Sequence, residues 1–155
     1  MENFDLTVLG GGPAGYNAAA YAASKGLSVV LFEKNELGGV CLNEGCVPSK
    51  TLLNSAKVLN YFKHGENYGV KFSGDGKVSQ EAVVDRKNKV VKRLVTGVRA
   101  KLKGAGVTVV KAEAKILCRD ENGVVVQSEN VGYNSKFLLI ATGSSALIPK
   151  IPGVD

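Results

Sequence analysis

The chain lacks any apolar run long enough to cross a bilayer. It has 155 residues, of which 45% are hydrophobic and 22% are charged, a composition typical of one ordinary globular domain. A membrane-spanning helix needs about 20 consecutive apolar residues, and no stretch approaches that length. The amino terminus also lacks the pattern of a signal peptide. These absences predict a cytoplasmic protein with no membrane partner.

Several other features are scarce. The single histidine, His64, stands beside Gly65 at the end of a predicted helix, where the helix dipole favours its charge. It is therefore not predicted to be a catalytic base. No internal repeat or low-complexity segment is present, and no metal site is predicted.

The positive charge has no aromatic residues interleaved with it. The net charge is +6, and its excess lies between Arg86 and Lys103, where eight Lys and Arg residues face no acid. Such a run is usually the solvated face of a helix, and no nucleic-acid-binding motif accompanies it. The sequence therefore predicts no nucleic-acid partner, although some positive field suits an anionic dinucleotide.

The amino-terminal segment has the pattern of a βαβ unit. An apolar strand at 5–9 and a second at 28–32 flank an alanine-rich helix at 16–24. Between the first strand and the helix, Gly10, Gly12 and Gly15 satisfy G-x-G-x-x-G. In that context the three glycines make the tight turn, the close approach to a pyrophosphate and the helix–strand packing, respectively. The motif alone is weak, but its full context favours a dinucleotide site over a ligand-free glycine loop.

An acid follows the second strand, where a ribose-binding residue is expected. Glu33 lies 18 positions after Gly15, close to the spacing at which a carboxylate accepts hydrogen bonds from a ribose hydroxyl. The motif does not distinguish FAD from NAD. The pair Cys41 and Cys46 favours a flavin, because a dithiol gives up two electrons that a flavin can accept, whereas a nicotinamide ordinarily takes a hydride.

The two cysteines stand in a glycine-rich stretch before a helix. A regular helix would hold their Cα atoms roughly 8.7 Å apart, beyond the roughly 7 Å that a disulfide can bridge. Cys41 and Cys46 can therefore pair only if the backbone departs from a helix between them, which Gly39 and Gly45 permit. Cys46 near a helix N-terminus would favour a thiolate. The alternatives are a structural disulfide or two cysteines that merely pack, which a reducing compartment disfavours.

The remaining segments predict further helices and strands. A helix is predicted at 48–64, with Lys50 either at the surface or directed toward the partner of Cys46. A glycine-rich loop at 66–77 holds one short strand at 69–72, and Ser79 caps a long helix that ends at Gly104 or Gly106. Strands are predicted at 107–111, 114–118, 124–127 and 136–141, with a hairpin turn at 120–123. Cys118 is predicted to be a small buried apolar residue.

Three motifs together resemble the flavin disulfide reductases. They are Gly10 to Gly15, the stretch Gly39-Val40-Cys41-Leu42-Asn43-Glu44-Gly45-Cys46-Val47-Pro48-Ser49-Lys50, and Ala141-Thr142-Gly143-Ser144. The Cys-Leu-Asn sequence and residues 49–53 look most like the corresponding sequences of the family members that oxidise dihydrolipoyl groups. The fold implied is α/β: a Rossmann-like FAD-binding domain with a parallel sheet and a small antiparallel β-meander, incomplete in this chain.

The resemblance also implies roles for particular residues. Cys46 would contact the flavin, Cys41 would exchange with the substrate, and Lys50 would lie near the flavin ring. Glu33 would bind the adenosine ribose. The implied cofactor-binding residues are Gly10, Gly12, Pro13, Ala14, Gly15, Glu33, Lys34, Gly38, Gly39, Val40, Cys41, Lys50, Ala114, Ala141, Thr142 and Gly143.

The same resemblance implies partners and further domains. The substrate would be the dihydrolipoyl groups of a 2-oxoacid dehydrogenase complex or glycine cleavage system, with NAD as the final acceptor in a full-length homodimer. Residues 1–155 would form the first segment of a discontinuous FAD-binding domain, with the NAD-binding and dimer-interface domains absent. The chain alone is expected to hold FAD weakly and to be inactive. The alternatives are another flavin disulfide reductase, such as glutathione or mercuric reductase, or a non-catalytic dinucleotide-binding module.

Overall fold

The amino-terminal segment folds as its glycine pattern predicts. In the computed structural model, which describes residues 1–154, strand β1 (Glu2–Leu9) leads into helix α1 (Pro13–Ser24) and then strand β2 (Val29–Phe32). The two strands are parallel, with Leu6 opposite Val29 and Leu9 opposite Phe32. The strand–glycine loop–helix–strand unit is therefore confirmed, with α1 beginning three residues earlier than predicted because Pro13 suits the first turn of a helix.

The rest of the described chain adds helices and then strands. In order these are α2 (Gly39–Asn43), α3 (Cys46–Lys63), a 3₁₀ turn (Gly65–Tyr68), α4 (Gln80–Gly104), β3 (Thr108–Val110), β4 (Lys115–Asp120), β5 (Gly123–Ser128) and β6 (Val131–Ile140). Ser79 caps α4 as predicted, accepting a hydrogen bond from the Ala82 amide at 3.3 Å.

Within residues 1–154 the strands form one six-stranded sheet in the order β3-β2-β1-β6-β5-β4. Strands β3, β2, β1 and β6 run parallel. Strands β4, β5 and β6 are antiparallel neighbours joined by short turns. This is the predicted α/β class, a parallel sheet that continues into a small antiparallel meander.

Strand β2 is buried on both faces and separates two apolar cores. Val29 and Leu31 belong to the core that α1 and α4 cover, which also contains Val8 and Leu102. The alternate residues of β2 pack instead with side chains of the meander, in a core that contains Val30, Phe32, Leu9, Val124, Val126 and Tyr133. Successive side chains of a strand point to opposite faces, so the four apolar residues of β2 serve both cores.

Two strand predictions differ from the structure. The strand predicted at 69–72 is wrong: a 3₁₀ turn precedes it, and Phe72 packs its ring against Phe62 of α3, with centroids 4.8 Å apart. The segment has strand-forming residues but docks on a helix instead of pairing with a strand. Strand β6 begins at Val131, five residues before the prediction, because its first half pairs with β5.

The prediction that Cys118 is buried is also wrong. Cys118 is an exposed free cysteine on β4, and every residue of that strand is exposed. Among residues 1–154, strand β4 lies at the end of the sheet and pairs only with β5, with a shift of register between Ile116 and Cys118. An edge strand whose faces are exposed leaves even its apolar residues in solvent.

Thr7 gives a stability prediction. This residue of β1 is fully buried and pairs with Val30 and Leu138, and its Oγ1 has no hydrogen-bond partner among residues 1–154. An unsatisfied buried hydroxyl costs about 1–3 kcal/mol. Thr7→Val should therefore raise the free energy of unfolding by about 1 kcal/mol, or the melting temperature by about 2–4 °C, measured by thermal denaturation.

Thr51 provides a matched control for that substitution. It is also buried, but its hydroxyl donates to the Val47 carbonyl at 2.8 Å. Thr51→Val removes a hydrogen bond that is made, so it should not stabilise the protein. A lower melting temperature for Thr7→Val would contradict the prediction.

Candidate active site at the carboxyl edge of the parallel strands

The glycine loop between β1 and α1 packs too tightly for side chains. Gly10 has a φ of +102°, and a Cβ there would overlap the carbonyl oxygen of Ala141. A Cβ on Gly15 would overlap the carbonyl oxygen of Gly10. These contacts fit the predicted uses of the two glycines, a tight turn and close packing of the helix on the strand.

The N-terminus of α1 is open to an anion. Gly12 is its N-cap residue and provides no side-chain cap, and Tyr16 makes the first intrahelical hydrogen bond, to the Gly12 carbonyl at 3.0 Å. The amides of Ala14 and Gly15 precede that bond. Such free amides and the helix dipole attract a phosphate group.

Glu33 is fixed at the end of β2, beside this loop. One carboxylate oxygen accepts a hydrogen bond from the Gly11 amide at 2.7 Å, and the other accepts from the Asn35 amide at 2.8 Å. Each carboxylate oxygen has a second lone pair, so the group can also accept a hydroxyl. The half-buried Glu33 thus combines a structural contact with the geometry expected of a ribose-binding acid.

The other predicted cofactor residues lie along the same edge of the sheet. The Ala141 amide donates to the Leu9 carbonyl at 2.8 Å, which places the segment after β6 against the segment after β1. Lys34 forms an exposed ion pair with Glu113 at 3.5 Å, which places the residue before Ala114 next to the end of β2. Ligands of open α/β sheets bind at the carboxyl ends of the strands, so the predicted residues meet where a ligand is expected.

The stretch before the cysteines docks directly on the glycine loop. The Gly38 amide donates to the Gly11 carbonyl at 2.8 Å. Gly39 has a φ of +61°, and a Cβ there would lie 2.8 Å from the Cα of Gly12. The two loops therefore touch backbone to backbone, and only glycine allows this contact.

Cys41 and Cys46 form a disulfide, with Cα atoms 4.7 Å apart. Helix α2 ends at Asn43, and two non-helical residues separate it from α3. Helix α3 begins at Cys46, two residues earlier than predicted. This confirms the expected departure from a regular helix. Cys46 is exposed and is the first residue of α3, whereas Cys41 is half-buried within α2. Lys50 is exposed one turn further along α3.

The sequence-based interpretation missed two residues that hold this region. Asn43 donates from its side-chain amide to the carbonyls of Leu37 and Gly39, at 3.1 and 3.0 Å. Glu36 accepts from Lys111, the residue after β3, at 2.5 Å and from Arg99 of α4 at 3.3 Å. The Lys111 ammonium, and then Arg99, hold the pKa of the Glu36 carboxyl below its usual range. The only sequence signal for Asn43 is a short amide residue four positions after a glycine turn.

Other features of residues 1–154 do not involve the glycine loop. One groove on α4 is lined by Ala82, Asp85, Arg86, Lys89, Val90 and Arg93, none of which belongs to that loop. No three His, Cys, Asp or Glu side chains of the described chain come together as a metal site would require. None of its helices combines the length and apolar character needed to cross a membrane.

The residues present fit a flavin dinucleotide. Free amides at α1 suit a pyrophosphate, Glu33 suits a ribose, and two loops without side chains leave backbone accessible to a ligand. A disulfide at the N-terminus of α3 lies on the same side, joined to the glycine loop through Gly39. The disulfide favours a flavin over a nicotinamide as the ligand, because a flavin can accept two electrons from a dithiol, whereas a nicotinamide ordinarily takes a hydride.

Comparisons with known proteins agree with this description. The sequence profile of the family described as pyridine nucleotide-disulphide oxidoreductase matches residues 4–155. Dihydrolipoyl dehydrogenase of Acholeplasma laidlawii is 45% identical over 99% of this chain and 44% of its own length. The enzyme of that name from Mycoplasma genitalium is 39% identical over 99% of this chain and 33% of its own length.

A solved structure shares the fold. It is the copper(II) complex of RclA, an HOCl-induced flavoprotein disulfide reductase from Escherichia coli. The TM-score is 0.75 at 25% identity, and the match covers 96% of this chain and 30% of RclA. The chain thus spans less than half the length of each of these relatives.

Proposed function

Because the chain belongs to the pyridine nucleotide-disulphide oxidoreductase family, we propose that it carries the FAD and redox-disulfide part of a dihydrolipoyl dehydrogenase. The observation that carries the proposal is the contact between Gly39 and Gly12. It joins the disulfide-bearing segment to the loop that would hold the pyrophosphate. A disulfide that served only to stabilise the fold would not need to stand against a dinucleotide loop.

The proposed chemistry is a dithiol–disulfide exchange. A dihydrolipoyl thiolate attacks the sulfur of Cys41, the Cys41–Cys46 bond breaks, and Cys46 leaves as a thiolate. The second substrate thiol then attacks the mixed disulfide, which closes the lipoyl disulfide and frees Cys41. Two electrons have then moved from the substrate to the protein. Of the two substrate thiol protons, one passes to Cys41 and the other to solvent.

Cys46 is placed to be a good leaving group. It is the first residue of the 18-residue helix α3, where free amides and the helix dipole stabilise a negative charge. FAD, when bound, supplies an acceptor for the two electrons that this dithiol then holds. Lys50, one turn along α3, would add positive charge on the same side.

The remaining cofactor contacts follow from the shared edge of the sheet. We assign the adenosine ribose to Glu33 and the pyrophosphate to the amides after Gly12. Lys34 and Ala114 would hold the adenine side of the cofactor, and Ala141 to Gly143 would hold the flavin and its phosphates. NAD would be the final acceptor in the full-length enzyme.

The chain is proposed to be the first segment of a discontinuous FAD-binding domain. Its relatives have more than twice its length, which leaves room for NAD-binding and dimer-interface domains. Large apolar side chains at the surface support this, because further segments could cover them; they include Leu53, Val58, Leu117, Phe137 and Ile140. The complete protein would be a cytoplasmic homodimer that serves the dihydrolipoyl groups of a 2-oxoacid dehydrogenase complex or glycine cleavage system.

A second candidate is a different flavin disulfide reductase. The similarity to RclA favours it, since that protein is named a flavoprotein disulfide reductase. The deciding experiment assays the full-length protein with dihydrolipoamide and NAD, and in parallel with glutathione disulfide and NADPH. We expect the first pair to be preferred by at least about 10²-fold in kcat/KM. The opposite preference would establish the second candidate.

A further inference from the structure

Asn43 connects the two ends of the short helix that carries Cys41. Its side-chain amide donates to the Leu37 carbonyl, which precedes α2, and to the Gly39 carbonyl, at the first residue of α2. The residue is half-buried and lies midway between the two cysteines. The two hydrogen bonds of the Asn43 side chain therefore link both ends of the backbone segment 37–43, which contains Cys41.

Few other contacts hold α2: Leu42 is buried in the core that α1 and α4 cover, and the Gly38 amide before α2 donates to the Gly11 carbonyl. Helix α2 has five residues, and its N-cap residue, Gly38, provides no side-chain hydrogen bond. A helix of this length is not stable by itself. While the disulfide is closed, it restrains Cys41 covalently. When the disulfide opens, α2 depends on the Asn43 bonds, on the buried Leu42 side chain, and on the Glu44 and Gly45 amides, which donate to the Val40 carbonyl at 2.9 and 2.7 Å.

We propose that Asn43 is a positioning residue that keeps the Cys41 thiol beside Cys46 in the reduced protein, and so sets the reduction potential of the pair. The inference rests on the proposed function, because it requires a disulfide that opens and closes. Only the arrangement with adjacent thiols can re-form the bond. The equilibrium constant for disulfide formation is therefore proportional to the fraction of reduced protein in which α2 is intact.

The direction of the effect follows from this proportionality. Without the Asn43 bonds, α2 can unfold in the reduced protein, which lowers the free energy of that form. In the oxidised protein the disulfide prevents this unfolding. Removing the bonds should thus favour the dithiol over the disulfide. The loss of two hydrogen bonds lowers the ratio of intact to open α2 about tenfold, so the equilibrium constant for disulfide formation falls by up to about tenfold, the limit reached when α2 is mostly open in the reduced protein. The limit corresponds to a reduction potential about 30 mV higher.

The experiment measures that equilibrium in the purified protein. Wild type, Asn43→Ala and Asn43→Asp are equilibrated with glutathione buffers of graded composition, trapped with an alkylating agent and analysed by mass spectrometry. Reduction consumes two glutathione thiols, breaks the Cys41–Cys46 bond and yields one glutathione disulfide and two protein thiols. Asn43→Asp keeps the size of the side chain but loses both N–H donors. Both variants should shift the midpoint toward the dithiol by more than about twofold and by up to about tenfold.

A partial replacement and a remote control sharpen the test. In Asn43→Ser the hydroxyl can donate to the Gly39 carbonyl, as the Thr51 hydroxyl does to Val47 one turn back in α3, so its shift should be intermediate. Asn122→Asp makes the same chemical change in the exposed β4–β5 turn and should leave the midpoint at the wild-type value.

The outcomes separate a positioning role from a purely structural one. If Asn43 only stabilised the fold, its loss would lower the melting temperatures of the oxidised and reduced forms equally and leave the midpoint within about twofold of wild type. That result would overturn the inference. If the wild-type disulfide itself failed to exchange with dihydrolipoamide or glutathione, the proposed function would fail instead, and the two failures are thus distinguishable.

Discussion

Treatment of the oxidised wild-type protein with dihydrolipoamide will raise its count of free thiols from one to three, and in Cys46→Ser the count will not change. The chain has three cysteines, of which Cys118 is free and the other two form the disulfide. A serine at position 46 leaves no bond for a substrate thiolate to attack. The measurement is thiol alkylation followed by mass spectrometry. In the full-length enzyme the same variant should lose turnover by at least about 10³-fold.

The same substitution excludes a non-catalytic role. If this part of the protein only bound a dinucleotide, Cys46→Ser would leave the turnover of the full-length protein unchanged, and that result would contradict the proposed function. Cys118→Ala is the matched control: it removes a cysteine from the exposed edge strand and should leave turnover at the wild-type level.

Protection by FAD can show which thiol lies against the flavin. Exposure alone favours Cys46 as the more reactive thiol, since Cys41 is half-buried. In Cys41→Ser, excess FAD at ten times its dissociation constant should slow alkylation of Cys46 about tenfold, because only the unbound fraction reacts. In Cys46→Ser, alkylation of Cys41 should change little. The reverse pattern would exchange the roles proposed for the two cysteines.

Gly15→Ala should nearly abolish FAD binding and weaken the fold. The added Cβ would overlap the Gly10 carbonyl oxygen and lie 3.3 Å from the Val8 side chain, so α1 must move away from β1. Overpacking of this kind typically costs about 1–3 kcal/mol of stability. The displaced amides would lose charge-assisted hydrogen bonds to the pyrophosphate, each about 1.5 kcal/mol, which lowers FAD affinity about 10²-fold.

Gly97 provides the control for this prediction. It lies in α4, and no atom stands within 4 Å of a Cβ built there. Gly97→Ala should raise stability by about 0.5–1 kcal/mol and leave FAD affinity unchanged, as measured by thermal denaturation and by flavin fluorescence titration. If Gly15→Ala bound FAD as tightly as wild type, the pyrophosphate would not lie at the N-terminus of α1.

The sequence allowed the β1–α1–β2 unit to be predicted because each part obeys a local rule. The glycines at 10, 12 and 15 permit only certain backbone contacts, and the apolar residues of β2 match a strand covered on both faces. Glu33 could be placed for the same reason, since it follows directly from the end of that strand. Local chemistry therefore fixed the edge of the sheet where the candidate site lies.

Features that depend on how the folded chain brings residues together could not be predicted. The segment 69–72 has strand-forming residues, but Phe72 docks on α3, and composition does not reveal which surface a side chain reaches. Cys118 is exposed because β4 is the edge strand of the sheet that residues 1–154 form, which is a property of the sheet and not of the strand. Asn43 bonds to Leu37 and Gly39 only because the glycine turn brings those carbonyls to it.

The backbone contact between Gly12 and Gly39 has a consequence for protein engineering. Since a Cβ on Gly39 would lie 2.8 Å from the Gly12 Cα, neither loop can be transplanted into another scaffold without the other. A graft of the two-cysteine segment onto a different nucleotide-binding protein would need a bare backbone at the receiving position. Libraries that aim to alter cofactor preference should therefore vary both loops together and keep these two positions constant.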